Sequence, residues 1–205
     1  AYQIYLTGDG ILGMPVGVIA TIVVAFILFG EVLNSTGGSK AILNIAYSLV
    51  GNVRGGPAKV AVVASGLFGS ISGSTVANVS TTGAITIPMM KRMGYKPEFA
   101  GAVETVAANG GQILPPVMGA VAFLMAQVTG IPYVQVTFHA YLTAVLYYIV
   151  EFVVVDRESA RLNLGSLPKS ERPPIKKTLQ GAWLYLVPVT LLIVLLVALR
   201  YSVGK

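Results

Sequence analysis

Cysteine is absent from this chain of 205 residues, and histidine occurs once, at His139. The first absence excludes disulfides and thiol-bound metals. The second leaves no basis for a histidine-built metal site. Charge is scarce too: Asp, Glu, Lys and Arg make up 11% of the chain, against roughly 25% in an ordinary soluble domain. A net charge of +6 raises nucleic acid as a partner, but no basic stripe is interleaved with aromatics. The basic residues sit between apolar runs, as they do in cytoplasmic loops of membrane proteins. No nucleic-acid partner is expected.

Apolar sequence is what the chain has in abundance, at 55%. Runs over 11–29, 134–155 and 184–199 reach or approach the ~20 residues needed to cross a bilayer. The expected fold class is all-α integral membrane, with multiple transmembrane helices in contact with lipid. Residues 1–10 lack the basic n-region of a signal peptide. With no initiator Met and an end just past an apolar run, the chain reads as an excerpt from a longer polypeptide.

Charge placement bears on topology. Lys40, Arg54 and Lys59 precede the region 60–90, and Lys91, Arg92 and Lys96 follow it. A single crossing would put these clusters on opposite sides, whereas a re-entrant hairpin keeps both in the cytoplasm. The hairpin also places the basic stretch 157–177 inside, so that of 14 Lys and Arg residues only Arg200 and Lys205 lie outside. The positive-inside rule favours the hairpin. One long kinked spanning helix is the alternative.

The organisation that follows is an outer segment and transmembrane helix over 1–33, then a turn and interfacial amphipathic helix over 34–56. In the latter, Ile42, Ile45, Ala46, Leu49 and Val50 recur at helical spacing. A re-entrant hairpin over 57–96 and a discontinuous transmembrane helix over 97–130 come next. Residues 131–156 form a transmembrane helix, 157–180 a basic cytoplasmic connector and 181–205 a last transmembrane helix. No close repeat is visible at a 20–50-residue period, and no Lys-Ser/Thr follows the Gly/Ser-rich tip as a phosphate-cradling loop requires.

Two interruptions carry the functional reading. The first runs from Gly69 to Thr75 and the second from Asn109 to Pro116. Unwound backbone is costly in a bilayer unless protein encloses it or it lines a cavity, and broken helices point to transport sites. Ser70, Ser72, Ser74, Thr75, Asn78, Ser80, Thr81 and Thr82 concentrate neutral oxygens at the tip, the donor set for a weakly held hard cation such as sodium. Ser70, Ser72, Gly73, Ser74 and Asn78, with Asn109, Gly110 and Gly111, are the candidate sodium residues. The N-terminus of the second arm, near Thr75 and Asn78, suits a carboxylate. Gln112 donates and accepts, and with Thr75, Asn78 and Pro115 it is a candidate for substrate contact. Pro115 and Pro116 donate no backbone hydrogen bond, which frees carbonyls around Gly111.

Glu104 lies in an apolar half-helix, where it is a candidate either for coupling or for a structural role. Glu31 and Glu151 read as interfacial, and His139 as a structural hydrogen-bonding residue. The small residues at Gly66, Gly69, Gly73 and Ser80 have a second reading, close helix packing. A structural membrane subunit is therefore the alternative to a carrier. An intramembrane enzyme built on a serine with Glu104 or His139 is weaker, since no nucleophile has a base at helical spacing. No catalytic residue, resident metal or organic cofactor is expected.

The runs Arg54-Gly-Gly-Pro-Ala-Lys-Val60, 69–78, Thr86-Ile-Pro-Met-Met-Lys91 and Gly110-Gly-Gln-Ile-Leu-Pro-Pro-Val-Met-Gly119 resemble the large membrane subunit of tripartite ATP-independent periplasmic (TRAP) transporters. The similarity covers nearly the whole chain and is nearest the branch in which small and large membrane subunits are fused. The resemblance implies an elevator-type symporter in a bacterial or archaeal cytoplasmic membrane. Sodium would be the coupling ion, a periplasmic substrate-binding protein would deliver an organic acid, and a small membrane subunit or its fused equivalent would complete the permease. In that family the large subunit has two inverted halves, each with a re-entrant hairpin and a broken helix. This chain resembles the first half, so the second half is a further implied partner.

Overall fold

The computed structural model describes residues 13–197. The expected outer segment, the far end of the last helix, Arg200 and Lys205 lie outside the described residues. Helix α1 joins Met14–Val18 to Val24–Ser35 through a π-turn at Ile19–Val23. Gly37, with φ of 101°, turns the chain into α2, Gly38–Val50. Helix α3, Gly56–Ser72, starts with Pro57 in its first turn, where the missing N–H leaves no bond unmade. Helix α4 joins Thr75–Asn78 to Ala84–Arg92 through a π-segment at Val79–Gly83. Then follow α5 (Pro97–Gly111), α6 (Ala120–Thr129), α7 (Tyr133–Arg161) and α8 (Ile175–Val197). No strand occurs among the described residues.

Among the described residues three stretches are long and apolar enough to cross a membrane: Val16–Ser35, Tyr133–Arg161 and Lys169–Val194. Their outer faces are apolar. Phe138, Leu142, Leu146 and Val150 on α7 and Trp183, Leu184, Val187 and Leu191 on α8 are all exposed. The interior, by contrast, holds Ser65, Asn78, Thr82, Thr86 and Glu104, each with no exposed area. Apolar outside and polar within is the arrangement that a lipid solvent selects.

Helices α3 and α4 form an antiparallel hairpin around the two-residue turn Gly73-Ser74. Gly73 takes the left-handed conformation at φ 61°, and a methyl on it would lie 2.1 Å from the Met118 carbonyl oxygen. Ser74 caps α4 by accepting from the Ala77 N–H at 3.3 Å. The hairpin arms run longer than the sequence suggests, because helix continues through Gly69–Ser72. At the open end, Val60 and Met89 share a core cluster with Leu43, Ala46 and Leu167. Lys59 and Lys91 therefore sit at the same end of the hairpin. The C-terminal end of α7 joins them there: Asp156 pairs with Lys59 at 2.6 Å and with Arg54.

The Tyr95 hydroxyl meets the Ser159 hydroxyl at 2.6 Å in the same region. Burial pushes the Tyr95 phenol up, with the Ser159 hydrogen bond acting the other way. Helix α2 lies against α3 and α8, burying Ile42, Leu43 and Ala46. Leu49, expected on that face, is exposed, because the buried stripe leans toward Leu43 and Tyr47.

Candidate functional site

Among the described residues helices α3 and α5 make the most extensive pairing, and they cross backbone to backbone. A methyl placed on Gly69 would lie 2.7 Å from the Gly111 Cα, and one on Gly111 would lie 2.5 Å from the Gly69 Cα. Gly110 is closed in by Tyr147 and Tyr148 of α7, at 2.5 and 2.8 Å from such a methyl. These glycines serve close approach. The expectation that Gly110 and Gly111 lie in unwound chain is corrected: α5 runs through Gly111, and the break spans 112–119. The carbonyls of Asn109, Gly110 and Gly111 are not bare either. They accept from the N–H groups of Gln112, Ile113 and Leu114 at 3.1, 3.1 and 3.3 Å in a tightened last turn.

The break folds back onto the hairpin tip. The Val117 N–H donates to the Ser70 carbonyl at 3.0 Å, and the Gly119 N–H closes the loop onto the Gln112 carbonyl at 2.8 Å. Tyr133 of α7 donates to the Val117 carbonyl at 2.5 Å and holds the loop from the other side. Side chains complete the clasp. Gln112 Nε2 donates to Thr75 Oγ1 at 2.5 Å, and Thr75 Oγ1 donates to Asn109 Oδ1 at 3.1 Å.

A cavity of about 270 Å³ opens at this junction. Ser72, Gly73, Ser74, Thr75 and Gln112 give it a polar wall, and Phe26, Val121 and Phe123 an apolar one. Two helix N-termini abut it, that of α4 at Ser74–Val76 and that of α6 at Ala120. First-turn N–H groups lack intrahelical acceptors and carry partial positive charge, so the cavity suits an anion. The sequence reading placed an anion only at the first of these termini, although Gly119 ahead of the apolar run 120–126 was a usable signal for the second.

Of the residues anticipated for substrate, Thr75 and Gln112 line this cavity, while Asn78 and Pro115 do not. Of those anticipated for sodium, Ser72, Gly73 and Ser74 line it. The Ser70 hydroxyl donates to the Leu67 carbonyl at 2.9 Å, and Asn109 is exposed. Asn78 points into the hairpin instead, its Nδ2 donating to the Ser65 carbonyl at 2.8 Å.

Below the tip, Glu104 receives hydroxyl donors from both hairpin arms. Ser65 Oγ reaches Oε1 and Thr86 Oγ1 reaches Oε2, each at 2.5 Å, and Thr82 also donates to Oε1. Asn78, Thr82 and Thr86 recur every four residues along α4, which puts all three on its inner face. Ser65 and Thr86 were not anticipated, because a lone Ser or Thr in an apolar run is indistinguishable from one bonded to its own helix. Glu151 was expected at the interface but is buried at 7% exposure, because the α7 face 144–148–151–155–159 packs on α3 and α5. His139 is exposed and bonds through Nδ1 to the Gln135 carbonyl at 2.7 Å.

Fold and site together define an all-α, multi-pass membrane protein in which a hairpin tip and a helix break enclose an anion-suited cavity. The profile of the family described as tripartite ATP-independent periplasmic transporter, DctM component, matches residues 4–203, and the chain belongs to that family. The family is a transporter component and not an enzyme. Among curated relatives, the C4-dicarboxylate TRAP transporter large permease protein DctM of Rhodobacter capsulatus is 37% identical over 109 residues, 51% of this chain and 25% of that protein. The sialic acid TRAP transporter large permease protein SiaM of Vibrio cholerae is 28% identical over 170 residues, 82% of this chain and 39% of that protein. The 2,3-diketo-L-gulonate TRAP transporter large permease protein YiaN of Escherichia coli is 35% identical over 100 residues, 49% of this chain and 23% of that protein. The chain thus spans well under half the length of these relatives.

Proposed function

We propose that this chain is the first half of the large membrane subunit of a sodium-driven TRAP permease. Its cavity would hold the carboxylate of a small organic acid. The observation that carries the reading is the convergence of two helix N-termini, Thr75 and Gln112 on one cavity. The substrates named for the three relatives are otherwise unlike, but all carry a carboxylate, the group such a cavity would recognise. Sodium would bind beside it, using the Ser72 and Ser74 hydroxyls and carbonyls of the turn, with Ser70 and the Asn109–Gly111 turn as the nearby oxygens. A periplasmic substrate-binding protein would deliver the acid to the bacterial or archaeal cytoplasmic membrane. A small membrane subunit, fused or separate, and the second half of the large subunit would complete an elevator-type carrier.

The test is uptake of a labelled organic acid by the complete transporter reconstituted in proteoliposomes with its binding protein. Thr75→Ala and Gln112→Ala should each raise the substrate concentration for half-maximal uptake. One lost hydrogen bond to a charged ligand is worth about 1.5–3 kcal/mol, roughly tenfold or more. Unchanged values in both well-inserted variants would take the cavity out of the substrate path. Ser72→Ala and Ser74→Ala should instead raise the sodium concentration for half-maximal uptake about fivefold, for roughly 1 kcal/mol per neutral contact. Normal sodium dependence in both would return these serines to a turn-forming role.

Re-entry of the hairpin is tested separately. Single cysteines replacing Lys59 and Lys91 should both react with an impermeant thiol reagent only from the cytoplasmic side. Labelling from opposite sides would mean that α3 and α4 do not share a membrane face at their open end.

A further inference from the structure

Among the described residues two acids are buried, Glu104 and Glu151, and neither lines the cavity at the hairpin tip. The Glu151 side chain is 7% exposed, and both carboxylate oxygens are closed off without a hydrogen-bond partner among the described residues. Its position follows from the register of α7 on α5. The Tyr148 hydroxyl donates to the Ala107 carbonyl at 2.8 Å, and Val155 packs in one cluster with Ala100 and Val103. An antiparallel pairing that sets 148 against 107 and 155 against 100 sets Glu151 against Glu104.

The two acids are treated very differently. Glu104 collects hydroxyl donors from Ser65, Thr82 and Thr86. Glu151 has none. No cation answers it either: the one basic residue facing α7 from α3 is Lys59, held by Asp156 at 2.6 Å and lying over the Phe152 ring at 4.9 Å. Glu104 is the acid facing it from α5, Tyr147, Tyr148 and Asp156 are its neighbours on α7, and α6 carries no titratable side chain. A bare buried carboxylate facing a second acid is far costlier than a neutral one.

We propose that Glu151 is a proton-binding site of the transporter, taking one proton from water to become a neutral carboxylic acid opposite Glu104. The ligand is the proton itself, and the site is separate from the cavity at the hairpin tip. Uptake by the whole carrier then depends on proton occupancy at Glu151 as well as on sodium.

The test is infrared difference spectroscopy on the full-length transporter in lipid, which reads the proton whether or not the transport reading holds. At neutral pH the wild type should show the C=O stretch of a protonated carboxyl that disappears as pH is raised. Glu151→Gln should lack that band, while Glu151→Asp should keep it at a shifted position. Where uptake is measurable, the wild type should lose rate as pH rises, and Glu151→Gln, which mimics the protonated form, should have a flatter profile. The same band in Glu151→Gln and wild type, or none in the wild type, would overturn the proposal. Failure of Glu151→Gln to fold would overturn it too, because a neutral amide copies the shape and charge of the protonated acid.

Discussion

Gly111→Ala in the complete transporter should remove most uptake while leaving membrane insertion intact. The added methyl would meet the Gly69 backbone at 2.5 Å, and neither partner is a flexible side chain that can turn away. Helices α3 and α5 would have to part at the point where the hairpin tip meets the break. The clasp from Gln112 through Thr75 to Asn109 lies just beyond this crossing, so the cavity wall shifts with it. Overpacking of this kind costs about 1–3 kcal/mol, and a tenfold or larger loss of uptake corresponds to about 1.4 kcal/mol at the site. Gly101→Ala on the same helix is the matched control. Nothing lies within 4 Å of its methyl, and it should gain slightly in helix propensity without changing transport. Equal uptake and equal melting temperature in the Gly111 and Gly101 variants would show that the crossing tolerates separation.

The same glycines show where the sequence was legible. Two polar interruptions in neighbouring apolar segments drew attention to 69–75 and 109–116, and the structure brings those regions together. Their internal geometry was misread because glycine and serine have two uses that composition does not separate. They permit unwound chain, and they permit two helices to touch. Gly69, for which close packing stood as the second reading, and Gly111, read only as unwound chain, both do the second, and the partner helix decides it. The prolines misled by a few residues for a related reason. A helix persists up to the carbonyl whose donor the proline removes, so Pro115 ends α5 after Gly111 rather than before Asn109. Lys59 and Lys91 sit at one end of the hairpin, with Arg54 and Lys59 both on Asp156; on which side of a membrane that end lies is the question the cysteine-labelling experiment answers. Glu151 was invisible because its burial depends on α7 lying across α3 and α5. Sequence distance from the basic connector could not show that.

Glu104→Ala, on α5, should be strongly destabilising, and Glu104→Gln should be mild by comparison. Alanine removes the acceptor on which Ser65, Thr82 and Thr86 converge, and all four side chains are fully buried. A buried donor left unmatched costs about 1–3 kcal/mol. The loss is not three times that, because Thr82 and Thr86 have fallback acceptors in the carbonyls of Asn78 and Thr82, at 2.8 and 3.0 Å. Adding the vacated side-chain volume, we expect a total of roughly 2–4 kcal/mol. Glutamine keeps an acceptor at Oε1 for Ser65 and Thr82 and presents an amide to Thr86, whose hydroxyl still has the Thr82 carbonyl. It should cost about 1 kcal/mol. Thermal unfolding of the purified full-length transporter in detergent gives the ranking, and sodium-dependent uptake gives its meaning. If Glu104 bolts the two arms of the hairpin to α5, Glu104→Gln transports with normal sodium dependence and Glu104→Ala does not accumulate as folded protein. A Glu104→Gln protein that is fully stable yet inactive would instead place the charge itself in the coupling step. Glu104→Ala with wild-type stability would remove the bolt altogether.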